Sequence, residues 1–96
     1  GPLKDYYDII VFDPPTFSNS KKMREVLDIK KDHAQLINLC MKALKPDGVL
    51  YFSNNLRNFK IDETLSTLFN VKNITKQTLP EDFRNQQIHH CFRITK

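Results

Sequence analysis

The chain has 96 residues, of which 40% are hydrophobic and 27% are charged, and its 15 lysines and arginines against 11 aspartates and glutamates leave a formal charge of +4. This length allows one small domain, and this composition excludes a wholly disordered or collagen-like chain. No apolar run approaches the ~20 residues of a membrane span, so we expect no contact with a membrane. We interpret residues 1–6 as a linker or a remnant of protease cleavage, because they do not resemble a signal peptide.

Two scarce residue types exclude several kinds of binding site. Apart from the first residue, Gly48 is the only glycine, so the chain contains neither a G-x-G-x-x-G loop nor a Walker phosphate loop. Cys40 and Cys91 lack the CxxC spacing of zinc ligands, which favours a reduced, cytoplasmic protein. His89 and His90 are neighbours on a predicted strand and point to opposite faces, so we predict no metal site.

The first predicted element is a strand over residues 7–12 (YDIIVF). Its four consecutive apolar residues predict a strand buried on both faces, which is typical of a parallel sheet. Two prolines then end the strand, so Asp13 lies at its carboxyl end, followed by Pro14 and Pro15. Residues 16–22 (TFSNSKK) are polar and predict a loop with a basic pair.

A helix is predicted next, because apolar residues recur at spacings of three and four. These residues are Ile29, His33, Leu36, Ile37, Cys40 and Leu44. Asp28 is the predicted N-cap, and the turn sequence of residues 45–48 (KPDG) ends the helix. Residues 49–52 (VLYF) predict a second buried strand, which leads into a polar segment at residues 53–57 (SNNLR).

The last third of the chain predicts a short helix that begins at Asp62, then strands at residues 71–75 and 88–94. The order of elements is therefore β-α-β-α-β-β, which is typical of the α/β class. Strands joined by crossover helices run parallel, and the last two strands, which no helix separates, should be antiparallel. We expect one domain over residues 1–96.

Both polar segments follow predicted parallel strands, and ligands of open parallel sheets bind at the carboxyl ends of the strands. A carboxylate followed by two stiff prolines with free carbonyl groups forms a rigid ledge of hydrogen-bond acceptors. Such a ledge suits the edge of a nucleobase or the amino group of a sulfonium cofactor. Loops after strands are also polar simply because they are exposed, so the pattern alone leaves both interpretations open.

Three segments together resemble a known family: residues 13–23 (DPPTFSNSKKM), 44–55 (LKPDGVLYFSNN) and 87–95 (QIHHCFRIT). They resemble the C-terminal half of a class I S-adenosylmethionine-dependent methyltransferase. In particular they resemble the guanine-N7 methyltransferase domain of bifunctional bacterial 23S rRNA methyltransferases, a family also described as N6-adenine-specific DNA methylases. The resemblance implies a partial Rossmann-like sheet made of the fourth to seventh strands, with the last strand antiparallel and with flanking helices.

The resemblance also implies a cofactor, a partner and a missing part. The cofactor would be S-adenosylmethionine, and its glycine-rich binding loop lies upstream of this chain's start in the family. The partner would be 23S rRNA. The chain would then be a fragment of a catalytic domain and inactive alone, so a segment that only binds RNA or has a structural role stays open as a second hypothesis.

Three methyl acceptors make different demands on the residues. Cytosine C5 needs a cysteine nucleophile, which related enzymes carry in a Ser-Cys pair after the fifth strand, where this chain has Ser-Asn at residues 53–54. Adenine N6 methylases place an aromatic residue directly after the two prolines, but here Thr16 occupies that position and Phe17 follows it. Guanine N7 already has a free lone pair, and Asp13 would stabilise the positive charge of the product. The resemblance favours guanine N7, with adenine N6 as the alternative.

The expected site residues follow from this interpretation. The catalytic set is Asp13, Pro14, Pro15 and Phe17, of which Asp13 and Pro14 also bind the cofactor. The RNA-binding set is Asn19, Lys21, Lys22, Asn54, Asn55 and Arg57, although exposed basic residues and loop asparagines also occur for other reasons. His33 and the two cysteines are interpreted as core residues.

The family's strand order predicts one further property. The fourth strand pairs with the first strand in the family, and the first strand is absent here. Residues 8–12 would therefore leave an unpaired apolar edge. We expect the chain to self-associate through this edge.

Overall fold

The structure is a computed structural model, which describes residues 5–14, 28–56, 58–75 and 90–96. These residues form four strands and two helices, in the order β1 (Tyr7–Phe12), α1 (Ile29–Ala43), β2 (Leu44–Asn54), α2 (Glu63–Leu68), β3 (Asn70–Asn73) and β4 (His90–Thr95). The predicted order and the predicted α/β class are therefore confirmed. Neither described helix is long and apolar enough to cross a membrane.

The strands form one four-stranded sheet in the order β1-β2-β4-β3. β1 and β2 are parallel, and β4 runs antiparallel to both β2 and β3. The predicted parallel first pair and antiparallel last pair are thus confirmed. The last strand lies inside the sheet, between two strands that precede it in the chain.

Aspartates begin both helices, as predicted. The Asp28 side chain accepts a hydrogen bond from the backbone N–H of Lys31 at the start of α1. The Asp62 side chain accepts the backbone N–H of Thr64 at 2.8 Å at the start of α2. The side-chain and backbone hydrogen bonds from Thr64 lower the pKa of the Asp62 carboxyl, because they favour its charged form. Each cap satisfies an N–H group that the first helical turn leaves without an acceptor.

His33 joins the two helices and packs on the sheet. Its Nδ1 donates to the carbonyl oxygen of Ile29 at 2.8 Å, and its Nε2 accepts the backbone N–H of Asp62 at 2.9 Å. The ring is 2% exposed and stacks on Phe52 of β2, with 5.9 Å between ring centroids. His33 is therefore a hydrogen-bonded core residue, as predicted, and it holds α1 and the start of α2 on the same face of the sheet.

The prediction that β1 is buried on both faces is wrong. Ile10 and Phe12 are half-buried on the face that the helices cover, whereas Ile9 and Val11, which point the other way, are 62% and 71% exposed. β1 is an edge strand, and both described helices lie on one side of the sheet. A continuous apolar run indicates that both faces suit burial, but it does not supply the layer that would cover the second face.

β2 begins earlier than predicted, at Leu44 rather than at residue 49. Tyr7 pairs with Leu44 and Ile9 with Val49, so residues 45–48 form an irregular stretch within the strand instead of a separate turn. A Cβ atom added to Gly48 would lie 2.8 Å from the backbone oxygen of Asp8 and 2.7 Å from the Leu44 side chain. The absence of a side chain at residue 48 therefore allows β1 and β2 to approach each other here.

Gly48→Ala should destabilise the fold by about 1–3 kcal/mol, because its Cβ would overlap backbone that cannot move independently of β1. Urea denaturation followed by circular dichroism measures the change. The exposed neighbour Asp47 supplies the control, since Asp47→Ala should change the free energy of unfolding by less than about 0.5 kcal/mol. Equal stability of the two variants would contradict the close approach at Gly48.

The free edge of β1 should make the chain self-associate at high concentration. Ile9 and Val11 are exposed there, and the neighbouring Leu39 of α1 contributes to an open apolar groove. Val11→Lys should shift the chain towards the monomer, because a charge on an exposed edge opposes strand pairing. Light scattering after gel filtration gives the mass. Leu68→Lys is the matched control, since Leu68 is 61% exposed on α2, and a wild-type chain that stays monomeric would refute the prediction.

Candidate functional site

The carboxyl ends of β1 and β2 meet at one edge of the sheet, as predicted, because these strands are parallel neighbours. Phe12, the last residue of β1, pairs with Phe52, so Asp13 and Pro14 directly follow β1 at the end of the sheet where residues 53–54 end β2. Two of the predicted catalytic residues and the predicted RNA-binding residues of β2 therefore share this edge.

The first residues of β4 lie at the same edge, because β4 runs antiparallel to β2. His90 pairs with Asn54, and Cys91 pairs with Ser53. The sequence pattern did not indicate either residue as part of the site. The predicted antiparallel last strand was the available signal, because such a strand begins where its parallel neighbours end.

Asp13 and Pro14 differ in exposure at this end of the sheet. Asp13 is exposed, whereas Pro14 is buried, as is Asn54 at the end of β2. Burial raises the pKa of the Cys91 thiol, and the negative charge of Asp13 raises it further.

Asp13 presents an exposed carboxylate. It makes no hydrogen bond or salt bridge to any residue within the described parts of the chain. By contrast, Asp5 and Asp8 at the other end of β1 form ion pairs with Lys96 and Lys45. A carboxylate without a partner at the carboxyl end of a parallel strand is well placed to bind a cation or a hydrogen-bond donor.

Asn54 is 1% exposed, and its two amide atoms differ in their contacts. Oδ1 accepts the backbone N–H of Leu56 at 3.1 Å. Nδ2 is buried and has no hydrogen-bond partner among the residues that the structure describes. A buried donor without an acceptor costs roughly 1–3 kcal/mol, so this atom marks a position where an acceptor is expected.

His90 fixes the segment that follows β2. Its Nε2 lies 2.9 Å from the carbonyl oxygen of Leu56, and because a carbonyl only accepts, Nε2 carries the hydrogen. The His90 ring is nearly parallel to Phe92, at 6.5 Å between centroids, and also packs against Phe59. Leu56 is therefore held by its N–H to Asn54 and by its C=O to His90.

The predicted site residues divide into two groups. Asp13, Pro14, Asn54 and Asn55 lie at the described edge. The other six lie outside the described residues: Pro15, Phe17, Asn19, Lys21, Lys22 and Arg57. No group of three or more His, Cys, Asp or Glu side chains that could hold a metal ion occurs within the described parts of the chain.

The two cysteines agree with their interpretation as core thiols. Cys91 is buried and Cys40 is half-buried in α1. Burial raises the pKa of both thiols above the usual range, because removal from water disfavours the thiolate. At neutral pH both side chains are therefore protonated and poor nucleophiles.

Known proteins match this chain closely. It is 55% identical over 92 aligned residues to the ribosomal RNA large subunit methyltransferase K/L of Legionella pneumophila. The alignment covers 95% of this chain and 13% of that protein. The chain is 57% identical over 88 aligned residues to the ribosomal RNA large subunit methyltransferase K of Neisseria meningitidis. This alignment covers 92% of the chain and 25% of that protein. The chain is a homologue of the K/L methyltransferases.

The family resemblance predicted from three sequence segments is thereby confirmed. The K/L protein of Saccharophagus degradans is likewise 54% identical to the chain over 92 aligned residues. No protein-family model matches the chain. The chain spans about 13% of the length of its K/L relatives and 25% of the K relative. It therefore corresponds to one segment of those proteins.

Asp13→Asn should make Cys91 react faster with iodoacetamide at pH 8, because loss of the negative charge lowers the Cys91 pKa and raises the thiolate fraction. The rate is measured by mass spectrometry of peptides from the labelled chain. Cys40 serves as an internal reference, and Asp8→Asn is the matched control for the loss of an exposed β1 carboxylate. An unchanged Cys91 rate would mean that the charge of Asp13 does not raise the pKa of this thiol.

Proposed function

We propose that this chain is the substrate-side segment of an S-adenosylmethionine-dependent rRNA methyltransferase domain, and that the methyl acceptor is N7 of a guanine in 23S rRNA. The observation that carries the proposal is the identity of 54–57% to K and K/L methyltransferases over nearly the whole chain. The polar groups at the carboxyl ends of β1 and β2 support it, because they lie where open parallel sheets bind ligands. An rRNA substrate implies action in the bacterial cytoplasm.

The four strands would be the fourth to seventh strands of a Rossmann-like methyltransferase sheet. The strand order β1-β2-β4-β3, with an antiparallel last strand inside the sheet, supports this correspondence. The glycine-rich loop that binds the cofactor in the family would then lie outside these 96 residues, which contain no such loop. We therefore expect the chain alone to be catalytically inactive.

The residues at the edge fit a sulfonium cofactor. S-adenosylmethionine, when bound, supplies a methyl group from a positively charged sulfur. Asp13 offers an exposed carboxylate with no partner in the described parts of the chain, which would accept hydrogen bonds from the cofactor's amino group or attract its positive charge. Pro14 is buried beside it and would hold the ledge rigid against the helix-covered face.

Guanine N7 suits this set of groups better than the other acceptors. Its lone pair lies in the ring plane and N7 carries no hydrogen, so no base is required, and Asp13 would stabilise the positive charge that the ring acquires. Cytosine C5 requires a thiolate, but burial and Asp13 raise the pKa of Cys91, which therefore stays protonated. Adenine N6 loses one of its two protons when it is methylated, which the Asp13 carboxylate would have to accept, and it remains the alternative.

The remaining predicted residues would contact the RNA. Phe17 would stack on the flipped guanine, and Pro15 would extend the ledge that Asp13 begins. Asn55 and the other polar residues would bind the backbone or bases around the target: Asn19, Lys21, Lys22, Asn54 and Arg57.

The proposal is tested by placing this chain in the K/L protein of Legionella pneumophila, in exchange for the segment that it matches. The hybrid enzyme is incubated with S-adenosylmethionine and unmethylated 23S rRNA, and the digested nucleosides are identified by mass spectrometry. We expect N7-methylguanosine. Asp13→Ala should lower its rate of formation at least about a hundredfold, the loss typical of removing one group that stabilises transition-state charge.

Asp8→Ala is the control, because Asp8 is an exposed β1 carboxylate at the opposite end of the strand, paired with Lys45. N6-methyladenosine as the product would establish the adenine alternative. RNA binding without any methylated nucleoside would favour a segment that only binds RNA. An Asp13→Ala hybrid with wild-type activity would remove Asp13 from the site.

A further inference from the structure

The Asn54 side chain combines burial with a free donor. Nδ2 has no acceptor among the described residues, although the side chain is 1% exposed. The amide cannot satisfy Nδ2 by rotating through 180°, because that rotation would turn Nδ2 towards the Leu56 N–H and lose the 3.1 Å hydrogen bond that Oδ1 accepts. At this edge Asn54 therefore offers a donor and no acceptor.

The orientation of this donor depends on a second side chain. His90 donates from Nε2 to the Leu56 carbonyl oxygen at 2.9 Å, and the Leu56 N–H is the group that orients Asn54. The ring of His90 is itself fixed by stacking against Phe92 and Phe59. The packed His90 ring therefore fixes Leu56, and Leu56 in turn fixes the Asn54 amide.

We propose that Nδ2 of Asn54 donates a hydrogen bond to the 6-oxo oxygen of the target purine, and that His90 is the positioning residue that holds this donor in place. The inference rests on the proposed function, since it concerns the base that the same site would methylate. It assigns to Asn54 the selection of guanine over adenine.

The chemistry of the two purines favours this assignment. On the edge that carries N7, guanine presents two adjacent acceptors, N7 and O6, whereas adenine presents N7 and an amino group that donates. A fixed donor beside N7 therefore pairs with guanine and meets a second donor in adenine. With the base bound, no water would have room to replace a missing acceptor beside Nδ2, and sites that enclose such a group reject the wrong partner strongly.

The order of the strands also places Asn54 close to the predicted catalytic ledge. Pro14 lies two residues after Phe12, Asn54 lies two residues after Phe52, the β2 partner of Phe12, and both are buried. Asp13, which is exposed at the end of β1, would stay available for the cofactor or for the charge on the ring. Asn54 would then select the base, and Asp13 would bind the cofactor or stabilise the charge on the ring.

The test uses the hybrid K/L enzyme and two versions of its rRNA substrate. One carries guanine at the position that the wild-type hybrid methylates, and the other carries 2-aminopurine, which lacks the 6-oxo oxygen but keeps N7. We expect the wild-type hybrid to prefer guanine at least about tenfold in kcat/KM. Asn54→Asp keeps the acceptor for the Leu56 N–H and removes the donor, so this preference should vanish or reverse.

A merely structural role would lower the rates on both substrates by the same factor and leave their ratio unchanged, which would overturn the proposal. Asn54→Ala serves if the aspartate variant fails to fold, and it should also abolish the preference. Asn38→Asp is the matched control, because Asn38 donates from Nδ2 to the Ala34 carbonyl oxygen within α1, away from the site. The Asn38→Asp hybrid should show the same preference for guanine as the wild-type hybrid.

Two variants test the role of His90. His90→Phe keeps a ring against Phe92 but removes the donor to Leu56, and it should weaken the preference for guanine, whereas His90→Gln should restore part of it. Equal preference in His90→Phe and the wild type would remove His90 from this role. A hybrid that methylates no guanine at N7 would instead overturn the proposed function, so the two failures are distinguishable.

Discussion

Phe52 at the centre of the sheet holds together the parts that build the candidate site. Its side chain is fully buried, and its ring stacks on Phe12 of β1 at 5.4 Å, on Phe92 of β4 at 6.1 Å and on His33 of α1 at 5.9 Å. Aromatic pairs at such distances contribute about 0.5–1.5 kcal/mol each beyond the burial of their surface. One side chain thus fixes three neighbouring elements, and the site begins directly beyond it, at Asn54 on the same face.

The regular elements were predictable from local pattern. Spacings of three and four residues placed α1, and the aspartates before both helices marked their first residues because each side chain satisfies an unpaired N–H. The burial of β1 was not predictable in the same way. Its apolar residues suit a covered strand, but Ile9 and Val11 remain exposed because coverage depends on other parts of a fold and not on the strand itself.

The candidate site was predictable to the level of strand ends. Asp13 and Asn54 follow apolar runs, and parallel pairing brings such ends to one edge. Their difference in exposure depends on the packing around them, and the contact of Leu56 with His90 depends on a strand that arrives 34 residues later. Local sequence carries no signal for a contact of that range, so the contact of His90 with Leu56 emerged only from the fold.

The position of β4 between β2 and β3 has a consequence for the order in which this sheet forms. β2 and β3 have no shared hydrogen bonds, since each pairs with β4, and β4 follows both in the chain. During synthesis from the amino terminus, β2 and β3 are complete while β4, the antiparallel partner of both, is still to be made. The sheet is therefore completed late, when β4 pairs with β2 and β3. The segment after Asn54 gains its contact with His90 in the same step.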